Sequence, residues 1–293
     1  PRARVLAVRR DELQREVAEL TRGWTDRVRD RLIAAHGDTE GAALAERYER
    51  VFPDEYKAAT DPATAAADVG HLEALVAGAT SRITVLNPAG GRAEAYTAVK
   101  LYLREPLVLS EIMPVLENLG LRVFAEDTVT LPMLGDAPAH VETFFVQNEA
   151  GTRLDVERDA ERLIATILAV RAGRVESDGL NRLVLGAGLT WQEVQVLRTY
   201  AAYAFQIGAV SSRRLPTEAL TRHPVQAGLL WRCFAARFDP AADRGRATAA
   251  LETFLQSLDE VPNIAEDRML RVLVDAVEAT VRTNYYGGLG VGR

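Results

Sequence analysis

The chain carries 35 Lys and Arg residues, yet only Lys57 and Lys100 are lysines. Chemistry that needs an amine, as a Schiff base or a water activator, therefore has two candidates. Lys57 follows Glu55-Tyr56 in an acidic, polar turn. Lys100 sits mid-strand on a face with Tyr96 and Tyr102. Neither position implies the pocket that a catalytic lysine requires. The histidines are His36, His71, His140 and His223, none within five residues of another or of Cys233. That spacing excludes a zinc motif, and each is expected at the surface or at a helix cap. Cys233 falls beside Leu229, Leu230 and Phe234 and reads as a buried structural thiol. Asp239, Asp243, Glu266 and Asp267 could be drawn as a carboxylate cluster. At helix ends they are more simply caps and dipole partners. Gly288-Leu289-Gly290-Val291-Gly292 and Gly186-Ala187-Gly188 look like fragments of a dinucleotide loop. A working loop follows a strand and opens a helix, and both of these follow helices. The expected inventory is thus no catalytic, no cofactor-binding and no metal-binding residue.

The whole chain agrees with that inventory. It has 293 residues, 48% of them apolar, and a formal charge of −6. The length implies two or three domains at roughly 100–200 residues each. The acidic balance argues against nucleic acid as a partner, because phosphate recognition calls for a basic patch. No apolar run approaches the ~18 residues that span a bilayer, so no membrane partner is expected. A single cysteine cannot form an intrachain disulfide and fits a reducing, cytoplasmic compartment. The first residue is Pro1, and no signal peptide follows, so a processed chain or an excised piece is expected.

Residues 9–36 form a helix in this reading, with Leu13, Val17, Leu20, Trp24, Val28 and Leu32 as one apolar stripe. A second helix runs from Thr39 to Val51. Pro53 begins a short turn through Glu55 and Tyr56. Asp61-Pro62 opens a third helix that ends at Gly78. The periodicity then changes. Ile83–Leu86 and Ala95–Leu103 read as strands, the second half-buried by its alternation. A helix ends at Gly120, and strands over 121–131 and 141–146 flank a loop at Pro132, Gly135 and Pro138. A helix from Asp155 to Ala172 closes the segment. Helices on one face are expected to cover an antiparallel sheet with Val99, Leu101, Val123, Phe144 and Val146 in its core. From Gly173 onward all elements are helical, and Thr190 with Glu193 forms a capping box. Trp191, Tyr200 and Phe205 with Trp231, Phe234 and Phe238 mark a helix pair as the hub of this region. Arg198, Arg232 and Arg237 are candidate rim residues of an exposed aromatic interface there; the alternative is that Trp191 and Trp231 simply fill the core. The fold class is α+β: mostly helical with one small antiparallel ferredoxin-like βαββα module. The boundaries expected are 1–79, 80–172 and 173–293.

Several stretches resemble the large bacterial NAD-specific glutamate dehydrogenases. They are Arg47-Tyr48-Glu49-Arg50-Val51-Phe52-Pro53 with Asp54-Glu55-Tyr56-Lys57, Pro114 to Val123, and Asp178 to Leu185 on through Trp191 to Gln206-Ile207-Gly208. Ala236 to Pro240 and Thr283-Asn284-Tyr285-Tyr286 complete the set, in the family's order. The resemblance implies that residues 80–172 are an ACT-like module. It also implies that the helical domain from 173 leads to a catalytic core beyond this chain. The implied role is a regulatory or structural segment of an enzyme that deaminates L-glutamate to 2-oxoglutarate and ammonia with NAD. The implied partners are that core and other subunits of a homo-oligomer, with an amino-acid effector as a further option. The family's nicotinamide and substrate motifs are absent, so this chain alone is expected to be inactive and to bind no NAD. Two alternatives stay open: a free-standing amino-acid sensor and a helical scaffold. An ACT-like ligand site would lie at the turn Arg104-Glu105-Pro106-Leu107. That turn lacks the glycine that lets a ligand approach the backbone, which favours the structural role.

Overall fold

The apolar stripe around Trp24 belongs to a helix, as its spacing requires. In the computed structural model, which describes residues 23–89, 92–243 and 245–288, α1 spans Trp24–His36 and buries Val28 and Leu32. The stretch expected to be helical from residue 9 to 22 lies outside the described residues. Gly37, at φ +82°, turns the chain directly into α2, Asp38–Val51. The two helices pack so closely that a Cβ on Gly41 would lie 2.4 Å from the Ile33 Cα. After Pro53 the chain makes a short helix, α3 (Asp54–Ala59), rather than a bare turn, and buries Tyr56. Asp61 caps α4 (Pro62–Val76), accepting from the Ala63 and Thr64 N–H groups at 2.9 and 3.1 Å.

Four strands follow: β1 (Ser81–Leu86), β2 (Thr97–Leu103), β3 (Arg122–Leu134) and β4 (Ala137–Gln147). Helix α5 (Leu109–Asn118) joins β2 to β3, and α6 (Val156–Arg171) follows β4. The strands form one antiparallel sheet in the order β1-β2-β4-β3. β4 therefore inserts between the two strands joined through α5, the split βαβ arrangement of ferredoxin-like modules. The expected loop at Pro132–Pro138 is instead a hairpin turn at Gly135-Asp136, with Gly135 at φ +71° and both prolines inside strands. β3 is an edge strand, a position where proline is tolerated.

The alternation of β2 implies one solvated face, but every residue from Thr97 to Leu103 is buried. The expected one-sided cover is thus corrected. The face with Lys100 and Tyr102 meets Asp68 of α4. Val99, Leu101, Phe144 and Val146 are fully buried, whereas Val123 is only partly so.

The remaining elements are helical. Short turns lead into α7 (Leu183–Gly186) and α8 (Trp191–Gln206). They are followed by α9 (Arg214–Arg222), α10 (Pro224–Phe238), α11 (Arg246–Ser257), α12 (Ile264–Ala279) and α13 (Tyr285–Gly288). The capping box of α8 forms: Thr190 Oγ1 accepts from the Glu193 N–H, and the Glu193 carboxylate accepts from the Thr190 N–H at 2.8 Å. Among the described residues, no helix is long and apolar enough to cross a membrane.

The chain divides into two compact units. Of the described residues, the first holds 23–83 with 100–107 and 127–143. Its core joins Leu32, Tyr48, Leu72 and Leu75 of the helices, and Phe52 just past α2, to Tyr102, Leu131 and Val141 of the strands. The second holds 84–89, 92–99, 108–126, 144–243 and 245–288. Its buried residues include Ile112, Leu116, Phe144, Leu163 and Ile167, then Leu197, Leu230, Phe234, Leu273 and Val277.

Candidate functional site

Lys100 enters the core of the first unit because β2 is covered on both faces. Its ammonium pairs with the Asp68 carboxylate of α4. The same carboxylate accepts the hydroxyls of Tyr56 from α3 and Tyr102 from β2, each at 2.5 Å. Four side chains from three elements thus close on one another, and all are buried. Burial pushes both phenols far above the ordinary tyrosine range, and the Asp68 charge adds to it. Such a node satisfies each buried polar group. It offers no free amine to a substrate, so it is not the pocket of a nucleophilic lysine. Lys57 donates to the Glu49 carbonyl at 3.0 Å, tying α3 to α2.

The turn after β2 is also engaged. The Arg104 guanidinium donates to the carbonyls of Leu134 (2.9 Å), Leu75 (3.1 Å), Ala137 (3.2 Å) and Pro138 (3.4 Å). It joins the end of α4 to the β3–β4 hairpin. A side chain committed to four backbone acceptors holds structure together rather than reaching for an effector.

The other candidates are dispersed. His36 is exposed in the last turn of α1, and His140 lies 3.2 Å from the Thr130 hydroxyl. His71 stacks half-buried on Tyr102, with ring centroids 4.7 Å apart, and burial lowers its pKa. His223 joins α9 to α10 and meets Glu266 at 2.7 Å. That hydrogen bond, with Arg222 as second partner, holds the Glu266 carboxyl below its usual range. Asp239 and Asp243 accept from nearby backbone N–H groups, and Asp267 pairs with Arg271. Cys233 is buried, its thiol pushed up to about 12 by desolvation. Among the described residues no group of His, Cys, Asp or Glu could hold a metal ion.

Gly186-Ala187-Gly188 links α7 to α8, and no strand precedes it. It does not fit the strand–loop–helix cradle of a dinucleotide. Gly288 ends α13, and Gly290 and Gly292 of that run lie outside the described residues.

The second unit contains an open groove of about 840 Å³. Trp191, Tyr200 and Tyr203 of α8 line it with Phe234 of α10 and Tyr285 of α13. Gln192, Thr199, Arg282 and Asn284 add polar groups. The floor is fixed: the Tyr200 hydroxyl lies 2.8 Å from the Thr280 hydroxyl, which itself donates to the Ala276 carbonyl. Phe234 packs against Tyr285 and Trp231. Neither Trp191 nor Trp231 is fully buried. The expected arginine rim is only partly present. Arg198 is buried and bound to Asp178 and Asn181, and Arg237 reaches Glu278 at 3.4 Å. No nucleophile–base pair lines the groove, so its chemistry is that of binding. Sequence reasoning found its aromatic helix pair but not its second wall, residues 280–285, because that wall is distant in sequence from α8.

Three family models match in order: glutamate dehydrogenase helical motif 2 over residues 31–75, the ACT3 domain over 81–159 and helical motif 3 over 175–240. An NAD-specific glutamate dehydrogenase of Halomonas elongata is 30% identical over 283 residues, 96% of this chain. One from Pseudomonas aeruginosa is 32% identical over 288 residues, also 96% of the chain. One from Mycobacterium tuberculosis is 30% identical over 295 aligned residues, 98% of the chain. The chain spans about 18% of the length of each of these relatives.

Proposed function

We propose, from the premise that this chain belongs to the family of large NAD-specific glutamate dehydrogenases, that it is a regulatory and structural segment of such an enzyme. The parent protein would convert L-glutamate, with NAD, to 2-oxoglutarate and ammonia. This segment would supply neither the reacting groups nor the nicotinamide site. Its partners would be the enzyme's own catalytic core and the other subunits of a homo-oligomer in the cytoplasm. The working division is 1–79 as helical region, 80–172 as ACT-like module and 173–293 as the helical domain that leads to the core.

The observation that carries this reading is the agreement between matched regions and chemistry. The matches fall on an ACT domain and two helical motifs. The buried amine of Lys100 is paired with Asp68. The engagement of Arg104 by four carbonyls supports a structural over an effector-binding role for the ACT-like module. Thermal unfolding of the chain with a panel of amino acids tests the choice. A ligand at 100 times its Kd stabilises by ~2.7 kcal/mol, a shift of several degrees for a protein this size. No shift is expected with any amino acid. A saturable rise with one of them would replace the structural role with that of a sensor.

A further inference from the structure

The α8 groove is long for a small effector. Trp191, Gln195, Thr199 and Tyr203 line it at successive turns of one helix face. At 1.5 Å per residue these positions extend over about 18 Å. The volume of about 840 Å³ is several times that of an amino acid and near the upper end for drug-sized ligands. Apolar surface continues beyond it. Tyr203 is 47% exposed, and Ile207, just past the end of α8, is 54% exposed. Val281, between the wall residues Thr280 and Arg282, is 87% exposed. Trp191 and Tyr203 are the aromatic ends of this face, with polar Gln195 and Thr199 between them, and beside the aromatic floor of Tyr200, Phe234 and Tyr285 they suit an amphipathic peptide segment with spaced apolar anchors. Arg282 has no ion pair among the described residues, and Gln192 and Asn284 stand beside it on the rim.

We propose that this groove seats an amphipathic segment of the longer glutamate dehydrogenase polypeptide, from outside these 293 residues, with a carboxylate set against Arg282. The proposal rests on the reading of the chain as a segment of such an enzyme. The relatives argue for this occupant: the matched region is about 18% of their length, so each has most of its chain available to cover this face. Arg282, which has no ion pair among the described residues, favours an acidic neighbour for the apolar anchors.

The test is site-specific photo-crosslinking in the complete enzyme, with a benzophenone amino acid in place of Tyr203. That side chain is half exposed, so the replacement leaves the core packing in place. After irradiation and digestion, the cross-linked peptide is expected to come from outside these 293 residues and to be amphipathic. Arg282→Glu is expected to lower the yield by about tenfold, the effect of losing one rim charge pair and creating repulsion. A cross-link to these 293 residues in a neighbouring copy would overturn the proposal, and so would the absence of any cross-link. The denatured subunit mass, read from the same sample, reports separately on the underlying reading. A subunit no longer than this chain would sink the reading itself.

Discussion

Asp68 is where the residue scale departs most from what the sequence implies. Lys100 reads as a mid-strand lysine on a face with Tyr96 and Tyr102, with nothing in the strand to place it in a pocket. The counter-signal lies elsewhere. Asp68 occupies the apolar stripe of α4, three residues after Ala65 and four before Leu72, and a carboxylate there requires a partner. Removing one member of a buried pair leaves an uncompensated charge and costs about 3–5 kcal/mol. Asp68→Leu is therefore expected to lower unfolding stability by that amount in denaturant titrations. Asp68→Leu combined with Lys100→Met should recover part of it, because the uncompensated ammonium is gone while the Tyr56 and Tyr102 hydroxyls still lack their acceptor. Equal losses in the single and double variants would show that the unpaired ammonium is not what the single variant costs. The tyrosines make a second test. Burial raises the pKa of Tyr48, Tyr56 and Tyr102 in the fold, reinforced by Glu73 for the first and Asp68 for the other two. Below the ordinary value near ~10 their contribution to stability is fully present. Above it the unfolded chain releases protons that the folded chain keeps, so stability falls as pH rises. Phenolate absorbance should show these three titrating only with unfolding at alkaline pH. Their smooth titration in the folded chain would contradict the assigned burial.

At the scale of elements, local chemistry was largely legible. Asp61-Pro62 starts α4 and the Thr190–Glu193 box starts α8, because caps act over three or four residues that the sequence displays together. Thr190→Ala is expected to cost about 1 kcal/mol in the same denaturant assay. The β3–β4 hairpin was not legible. Three turn-forming residues within seven positions imply a loop, yet Gly135-Asp136 alone makes the turn and the strands absorb both prolines. Nor does alternation report a second cover on β2, since a buried polar node and a solvated face share one residue pattern. Gly41 shows the same limit in a helix. Its absent side chain lets α2 approach the Ile33 backbone, and no periodicity reveals that. Gly41→Ala gains up to about 1 kcal/mol of helix propensity but places Cβ 2.4 Å from a backbone atom. The expected outcome is a net loss of at least about 2 kcal/mol, read from the urea midpoint, because neither backbone can yield cheaply. A stabilised variant would mean that the two helices separate freely.

For the whole molecule, the resemblance carried further than the composition. Charge and length do not distinguish a scaffold from a sensor. The ordered motifs name the family, and the matched ACT3 and helical regions agree with it. The α8 groove stayed hidden because α8, α10 and residues 280–285 converge only in the fold. The central claim is that this segment contributes architecture and not nicotinamide chemistry. Its glycine run at 186–188 joins two helices, and its buried lysine is paired with Asp68. The most direct measurement is an NADH fluorescence titration of the isolated chain. The account predicts a signal that rises only in proportion to free NADH, with no enhancement. A saturable fluorescence increase would contradict it.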